Sequence, residues 1–228
     1  MVNSAHVFLE GIERMKPDEL RRKCVEMLVQ ADDGHPGSVM SLVEFVCTLD
    51  INQRLVISPG HEGMVIYPLL HEAGFITSKQ LADFRKPGAL LTMFPNKAIP
   101  GVLASCGSLG NGLGYACGLA MADRSPITCI ISEGELYEGA TWEALMFARH
   151  YNLENLRVVV NKNDAIILGK PSECLDIPWK MLDSFKVEVI QTVKGKGVPD
   201  WEGKASSHYW SQPKQWNHTY QLQPGEHP

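Results

Sequence analysis

Glu133 and Asn163 each follow an apolar β-branched run, "ITCIIS" and "LRVVVNK", and one amphipathic stretch joins the two runs. If the runs are neighbouring parallel strands, both residues lie at carboxyl ends, where doubly wound sheets bind ligands. A carboxylate, an amide oxygen and a nearby backbone carbonyl form a hard-cation ligand set, suited to magnesium or calcium. Magnesium usually completes its shell with phosphate oxygens, so a phosphorylated ligand is implied. His35 in "DGHPGS" and His61 in "SPGHEG" each sit in a Gly-rich turn before a helix, a place that offers backbone N–H groups and a positive dipole end to an anion. His208 in "KASSHYW" is a third candidate with a weaker local signal. Each of these residues alone reads better as an ordinary polar turn residue. Their repeated context makes them candidates for one site.

Those turns need a sheet and helices to hold them. Pro17-Asp18-Glu19 starts a helix that Leu20, Cys24, Met27 and Leu28 carry to about Gln30. "DDGHPGS" breaks it, and Ser38 to Leu49 is a second, apolar helix. "RLVISPG" is a short strand, "HEGMVIYPLLHEAGF" a helix, and "TSKQLADFR" a shorter helix with a Ser/Thr cap. Small residues from Gly110 to Ala122 predict a helix packed very closely on a neighbour. Strands at Ile127–Ile131, Leu156–Val160 and Val187–Val193, with a helix from about Gly139 to Tyr151, complete the alternation. Alternating strands and helices predict an α/β fold, a mostly parallel central sheet with helices on both faces. The whole chain is expected to be one domain, with residues from about 200 to 228 an extended tail.

Bulk properties exclude several classes. A chain of 228 residues, 44% hydrophobic, can bury a full core. The net charge of −5 and scattered Lys and Arg give no footprint for nucleic acid. No run of about 18 apolar residues predicts a membrane span, and the N-terminus lacks the pattern of a secretory signal, so a cytoplasmic location is expected. Six widely spaced cysteines without CxxC pairs are expected to be buried free thiols. "GSLGNGLG" is not preceded by a strand, and no GxxxxGK[ST] occurs, so neither a Rossmann nor a Walker site is supported. "TVKGKGV" at 192–198 could hold a phosphate or be a solvated strand end.

Taken in order, "DDGHPGSVMSLVEFV", "LVISPGHEGMVIYPLLHEAGFI", "IPGVLASCGSLGNGLGYACGLAMA", "ISEGELYEGATWEALMFARHYNLENL", "VNKNDAIILG" and "TVKGKGV" resemble the cofactor domain of transketolases, from about residue 15 to 210. The resemblance implies a thiamine-diphosphate-binding fold with thiamine diphosphate and Mg2+ as cofactors. It places Glu133, Asn163 and the backbone carbonyl of Ala165 on the metal. His61, Gly107, Ser108, Leu109, Gly134, Glu135 and His208 are placed against the cofactor, and His35 near the thiazolium and donor sugar. Glu138 and Glu143 match acids of a carboxylate network that crosses a subunit interface in the family. His35, His61, His208 and Glu138 are the implied catalytic residues.

The implied reaction is transfer of a two-carbon ketol or acyl unit between small molecules, by a cytoplasmic enzyme of specialised metabolism. The family's second, pyrimidine-binding domain is absent, so a separate subunit is expected in a heterodimer or heterotetramer. Three departures stand out: Glu133 replaces Asp, Phe94 replaces a sugar-contacting histidine, and Pro59 replaces a lysine. The lead into "NQRLVISPG" and the stretch from Gly169 to Thr192 are shortened. A decarboxylating ligase acting on a 2-oxo acid, and a non-catalytic partner subunit, are the alternatives. Accommodating the extra methylene of Glu133 costs on the order of 1 kcal/mol. Leaving buried diphosphate charge uncompensated costs several kcal/mol, so an adapted metal site is expected.

Overall fold

The computed structural model describes residues 15–50, 53–174 and 176–213; the segments 1–14 and 214–228, which hold the N-terminus and most of the expected tail, lie outside them. Four strands, β1 (Arg54–Ile57), β2 (Ile127–Ser132), β3 (Leu156–Lys162) and β4 (Glu188–Gln191), form one sheet in the order β1-β2-β3-β4. Every neighbouring pair is parallel. β2 and β3 are apolar runs buried along most of their length, as expected of central parallel strands. Their side chains alternate between two cores. Ile57 and Ile130 face one core, while Val56, Cys129, Ile131, Val158 and Val160 face the other.

The first core is capped by α1 (Pro17–Ala31) and α2 (Pro36–Thr48). Pro17 opens α1 where its missing N–H is not needed, and Asp32 closes it in a left-handed conformation, with its N–H donating to Val29 O. The single helix expected over 61–75 is a 3₁₀ helix, Gly60–Ile66, followed by α3 (Tyr67–Glu72). Pro68 has no N–H to continue the ladder, so the helix restarts with proline in its first turn. α4 (Ser78–Ala82) begins at Thr77, whose hydroxyl and the Gln80 side chain form a capping box.

The second core lies under α5 (Asn111–Asp123) and α6 (Gly139–His150). The close packing expected along α5 holds on one face only, where Gly112 meets Ser58. Two one-turn helices, α7 (Pro171–Cys174) and α8 (Trp179–Asp183), lead into β4. Residues 202–206 are exposed, as expected of a tail, but Trp201 and Ser207 on either side of them are buried and anchor the segment. Trp201 is wholly buried and donates its indole N–H to Ser211 O at 3.0 Å, and Ala205–His208 form a 3₁₀ turn against α2. All six thiols are free: Cys24, Cys106, Cys117 and Cys129 are buried, Cys47 half-buried, and Cys174 exposed. Among the described residues no helix is long and apolar enough to cross a membrane.

Candidate functional site

The register pairs Ser132 of β2 with Asn161 of β3, so the turns after these strands lie side by side. Asp164 adopts a left-handed φ of 56°, which turns the chain back over the end of β2. Its N–H donates to Glu133 Oε2 at 2.8 Å, and the Ala165 N–H donates to Asn163 Oδ1 at 3.1 Å. Glu133 is buried, and its other oxygen, Oε1, has no partner. Burial raises its pKa from the usual carboxylate range, against the pull of the Asp164 N–H. A buried carboxylate oxygen without a hydrogen bond is costly, and a cation is the partner that this donor set suits. The Asn163 oxygen keeps a second lone pair. The residues assigned to the metal therefore fit one, although no cluster of three His, Cys, Asp or Glu side chains exists among the described residues.

The three histidines, far apart along the chain, converge in the fold. Ring centroids are 5.0 Å apart for His35 and His61, 5.2 Å for His35 and His208, and 5.5 Å for His61 and His208. Burial pushes His61 down to about 3 and His208 to about 4, and it lowers His35 as well. All three are neutral near pH 7, each able to give or take one proton. His35 Nδ1 is buried and unpartnered. Phe94 and Tyr209, both exposed, rim the cluster at 6.5 and 5.9 Å from His35.

Several polar residues of the site are not singled out by the sequence patterns, although the segment of one, "TVKGKGV", is. Lys194 is buried; its ammonium donates to Ala165 O at 2.8 Å and lies 3.4 Å from His208 Nδ1. Burial lowers its pKa, while Glu62 and Glu133 pull it back up. Gly195 makes this possible: at φ 73°, a Cβ there would lie 2.3 Å from Trp201 O. Arg21 fixes the same segment by donating to Lys196 O at 3.0 Å. Asn161 is buried at the end of β3. It donates to Ser41 Oγ at 2.8 Å and to Glu62 Oε2 at 3.4 Å, and accepts from Thr192 Oγ1 at 2.5 Å. Burial pushes Glu62 up to about 8, and its Oε1 lies 3.9 Å from His61 Nε2. The signals that could have found them are an Asn inside an apolar strand, an acid beside a candidate histidine, and the lysines of "TVKGKGV".

The remaining expected residues divide. The glycine at 60, beside His61, is compelled: a Cβ there would lie 2.1 Å from Cys106 O, which seats the 106–109 loop on the histidine turn. Within that loop Gly107 and Ser108 are exposed and Leu109 is half-buried. Gly107 has open space around it, and at Gly134 a Cβ would meet nothing closer than 3.7 Å. Glu135 points inward: its carboxylate accepts from Ser58 Oγ at 2.5 Å, Gly110 N at 2.8 Å and Ser132 N at 2.9 Å. Its side chain therefore fastens the turn after β2 to Ser58 and Gly110. Glu138 and Glu143 lie on the exposed surface of the α6 entry, Glu138 against Gly110.

A family model described as transketolase, thiamine diphosphate binding domain, matches residues 12–200. Human transketolase-like protein 2 is 32% identical over 201 residues, covering 72% of this chain and 32% of that protein. Rat transketolase is 32% identical over 248 residues, covering 86% of this chain and 39% of its own length. One subunit of the apulose-4-phosphate transketolase of Phocaeicola vulgatus is 26% identical over 245 residues, covering 86% of this chain and 87% of its own length. The crystal structure of transketolase from Campylobacter jejuni superposes with a TM-score of 0.77 at 24% identity, over 85% of this chain and 39% of that one; this likeness concerns the fold. The chain spans only 41% and 39% of the mouse transketolase-like protein 2 and the orangutan transketolase that it also matches.

Proposed function

Because this chain belongs to the family of transketolase thiamine-diphosphate-binding domains, we propose that it is the diphosphate- and magnesium-binding half of a transketolase-like transferase. A separate pyrimidine-binding subunit completes it. The observation that carries this reading is the buried, unpartnered Glu133 Oε1 beside the Asn163–Ala165 turn. Glu133, Asn163 and Ala165 O would hold the metal, and the loop at 107–109 and Gly134 would approach the cofactor closely. Thiamine diphosphate, when bound, supplies an electron sink for breaking and forming a bond next to a carbonyl carbon. The neutral histidines are suited to hold and move protons at the oxygens of a ketose donor, with His35 Nδ1 free to do so. Burial around them excludes water, which strengthens each of these contacts.

Two observations support the partner. The chain matches 87% of the length of the Phocaeicola relative, which is itself named as one subunit of its enzyme. The outward faces of α5 and α6, helices that pack on each other, expose the large apolar side chains Tyr115, Met121, Met146 and Phe147. A second reading, a 2-oxo acid as donor, is favoured by Phe94, which puts an exposed apolar ring 6.5 Å from that of His35. Isothermal calorimetry tests the first reading. The chain with a candidate pyrimidine-domain subunit should bind thiamine diphosphate only with magnesium present, and Asn163→Ala should weaken that binding at least about tenfold. Metal-independent binding, or wild-type affinity in the variant, would refute it. Hydroxypyruvate, ketose phosphates and pyruvate offered as donors then separate the two readings by which one is consumed.

A further inference from the structure

We propose that the Lys194 ammonium and a divalent cation compete for the carbonyl oxygen of Ala165. Lys194 is then the chain's own counter-ion for this acidic pocket, and metal entry turns it away. The inference rests on reading Glu133, Asn163 and Ala165 as the divalent site. Its basis is a single juxtaposition: the oxygen assigned to the metal already accepts from Lys194 Nζ at 2.8 Å.

Lys194 is held there by construction. It is 2% exposed, among the largest buried side chains of the protein. Its Cγ packs on α2, 2.9 Å from where a Cβ of Gly37 would lie, and the Gly195 N–H donates to Gly37 O at 2.8 Å. Two buried acids, Glu62 and Glu133, surround the pocket, each 2% exposed. The other buried cation among the described residues, Arg21, is occupied by Asp18, Glu44 and Lys196 O. Among the described residues Lys194 is therefore the buried cation that serves the pocket, while Lys162 acts on Glu133 from the half-buried end of β3, paired with Asp164.

Magnesium would sit roughly 2.0–2.1 Å from the same oxygen, so the two positive centres would be at most about 5 Å apart. In a site screened from water their repulsion is far larger than in solution. The lysine stem can rotate, and His208 Nδ1, 3.4 Å from Nζ, is its next acceptor. Two effects of opposite sign result. Lys194 stabilises the metal-free chain, because its ammonium occupies Ala165 O and both Glu62 and Glu133 favour its charged form. It also lowers metal affinity, because its bond to Ala165 O is given up when the ion enters.

Manganese, read by the paramagnetic signal of the free ion, is the probe, with wild type, Lys194→Met and Lys194→Arg compared. Lys194→Met should bind Mn2+ about tenfold tighter than wild type, while Lys194→Arg, which keeps the charge, stays close to wild type. Without metal, Lys194→Met should melt several degrees lower, and saturating Mn2+ should close most of that gap. Binding no tighter than wild type, or an unchanged gap, overturns the proposal. Should Lys194→Met not fold, the wild type still decides. Amine-directed acylation read by mass spectrometry should increase at Lys194 when Mn2+ is added, and unchanged labelling overturns the proposal. If no protein binds Mn2+, even with thiamine diphosphate present, the divalent-site reading itself fails, a result distinct from metal binding that ignores Lys194.

Discussion

Gly112 and Gly114 stand two residues apart in α5 and are glycines for opposite reasons. A Cβ at Gly112 would lie 2.5 Å from the Cα of Ser58, whereas nothing stands within 4 Å of one at Gly114. The inward face of α5 is complete: Leu113, Ala116, Cys117 and Ala120 are buried against β2 and its neighbours. Its outward face, with Gly114, Gly118, Tyr115 and Met121, is open: the two glycines have free space around them and the two large side chains are exposed. The difference separates glycines that this chain needs for its own packing from glycines that its own packing does not require. The second kind recurs at Gly107 and Gly139, both on the side of the cofactor loop and the α6 entry.

Substitution turns that contrast into measurements. Gly112→Ala should have the largest effect, a loss of about 3 kcal/mol or more in urea unfolding, because backbone rather than a flexible side chain blocks the new methyl. Glu62→Gln should act next, and with a pH signature. The fold raises Glu62 from 4.5 to about 8, so its neutral form is favoured and its stabilising contribution is present below pH 4.5 and lost as pH rises through 8. The variant should therefore match wild type near pH 4 and exceed it by on the order of a few kcal/mol at pH 9. Equal stability at both pH values would show that this acid is not held neutral. Gly114→Ala should be the smallest change, a gain of about 0.5–1 kcal/mol in the isolated chain from lost unfolded-state freedom. Retention of a pyrimidine-domain subunit on a column should nonetheless fall. If Gly112→Ala and Gly114→Ala behaved alike, the division of α5 into a closed and an open face would be wrong.

Much of this arrangement is legible in the sequence because it is periodic or local. The parallel sheet follows from apolar runs alternating with helices, and Thr77 announces its capping box. The parts that no pattern announces depend on contacts between distant segments. Asn161 and Ser41 are 120 residues apart, and Lys194 and Ala165 are 29 apart; no spacing rule predicts that such polar groups will be buried together. Trp201 lies in a polar, aromatic run with the composition of a tail, yet it fills the first core. Glu135 sits in the acidic turn beside Glu133, but the inward direction of its carboxylate, toward Ser58 and Gly110, is likewise set by distant segments. Pro68 is plain in the sequence, and its missing N–H explains the broken helix that the apolar pattern alone runs together.

The uneven placement of the thiols gives the protein a chemical handle. Burial pushes Cys47, Cys106 and Cys117 up to about 11 and raises Cys24 and Cys129 too, which leaves them poor nucleophiles at neutral pH. Cys174 alone is exposed, at the end of α7, with its thiol 3.9 Å from Leu168 O in the chain that leaves the turn of Asn163 and Ala165. A maleimide dye added to the unmodified chain should therefore attach at this one position. Its emission would report on the metal turn without an introduced cysteine.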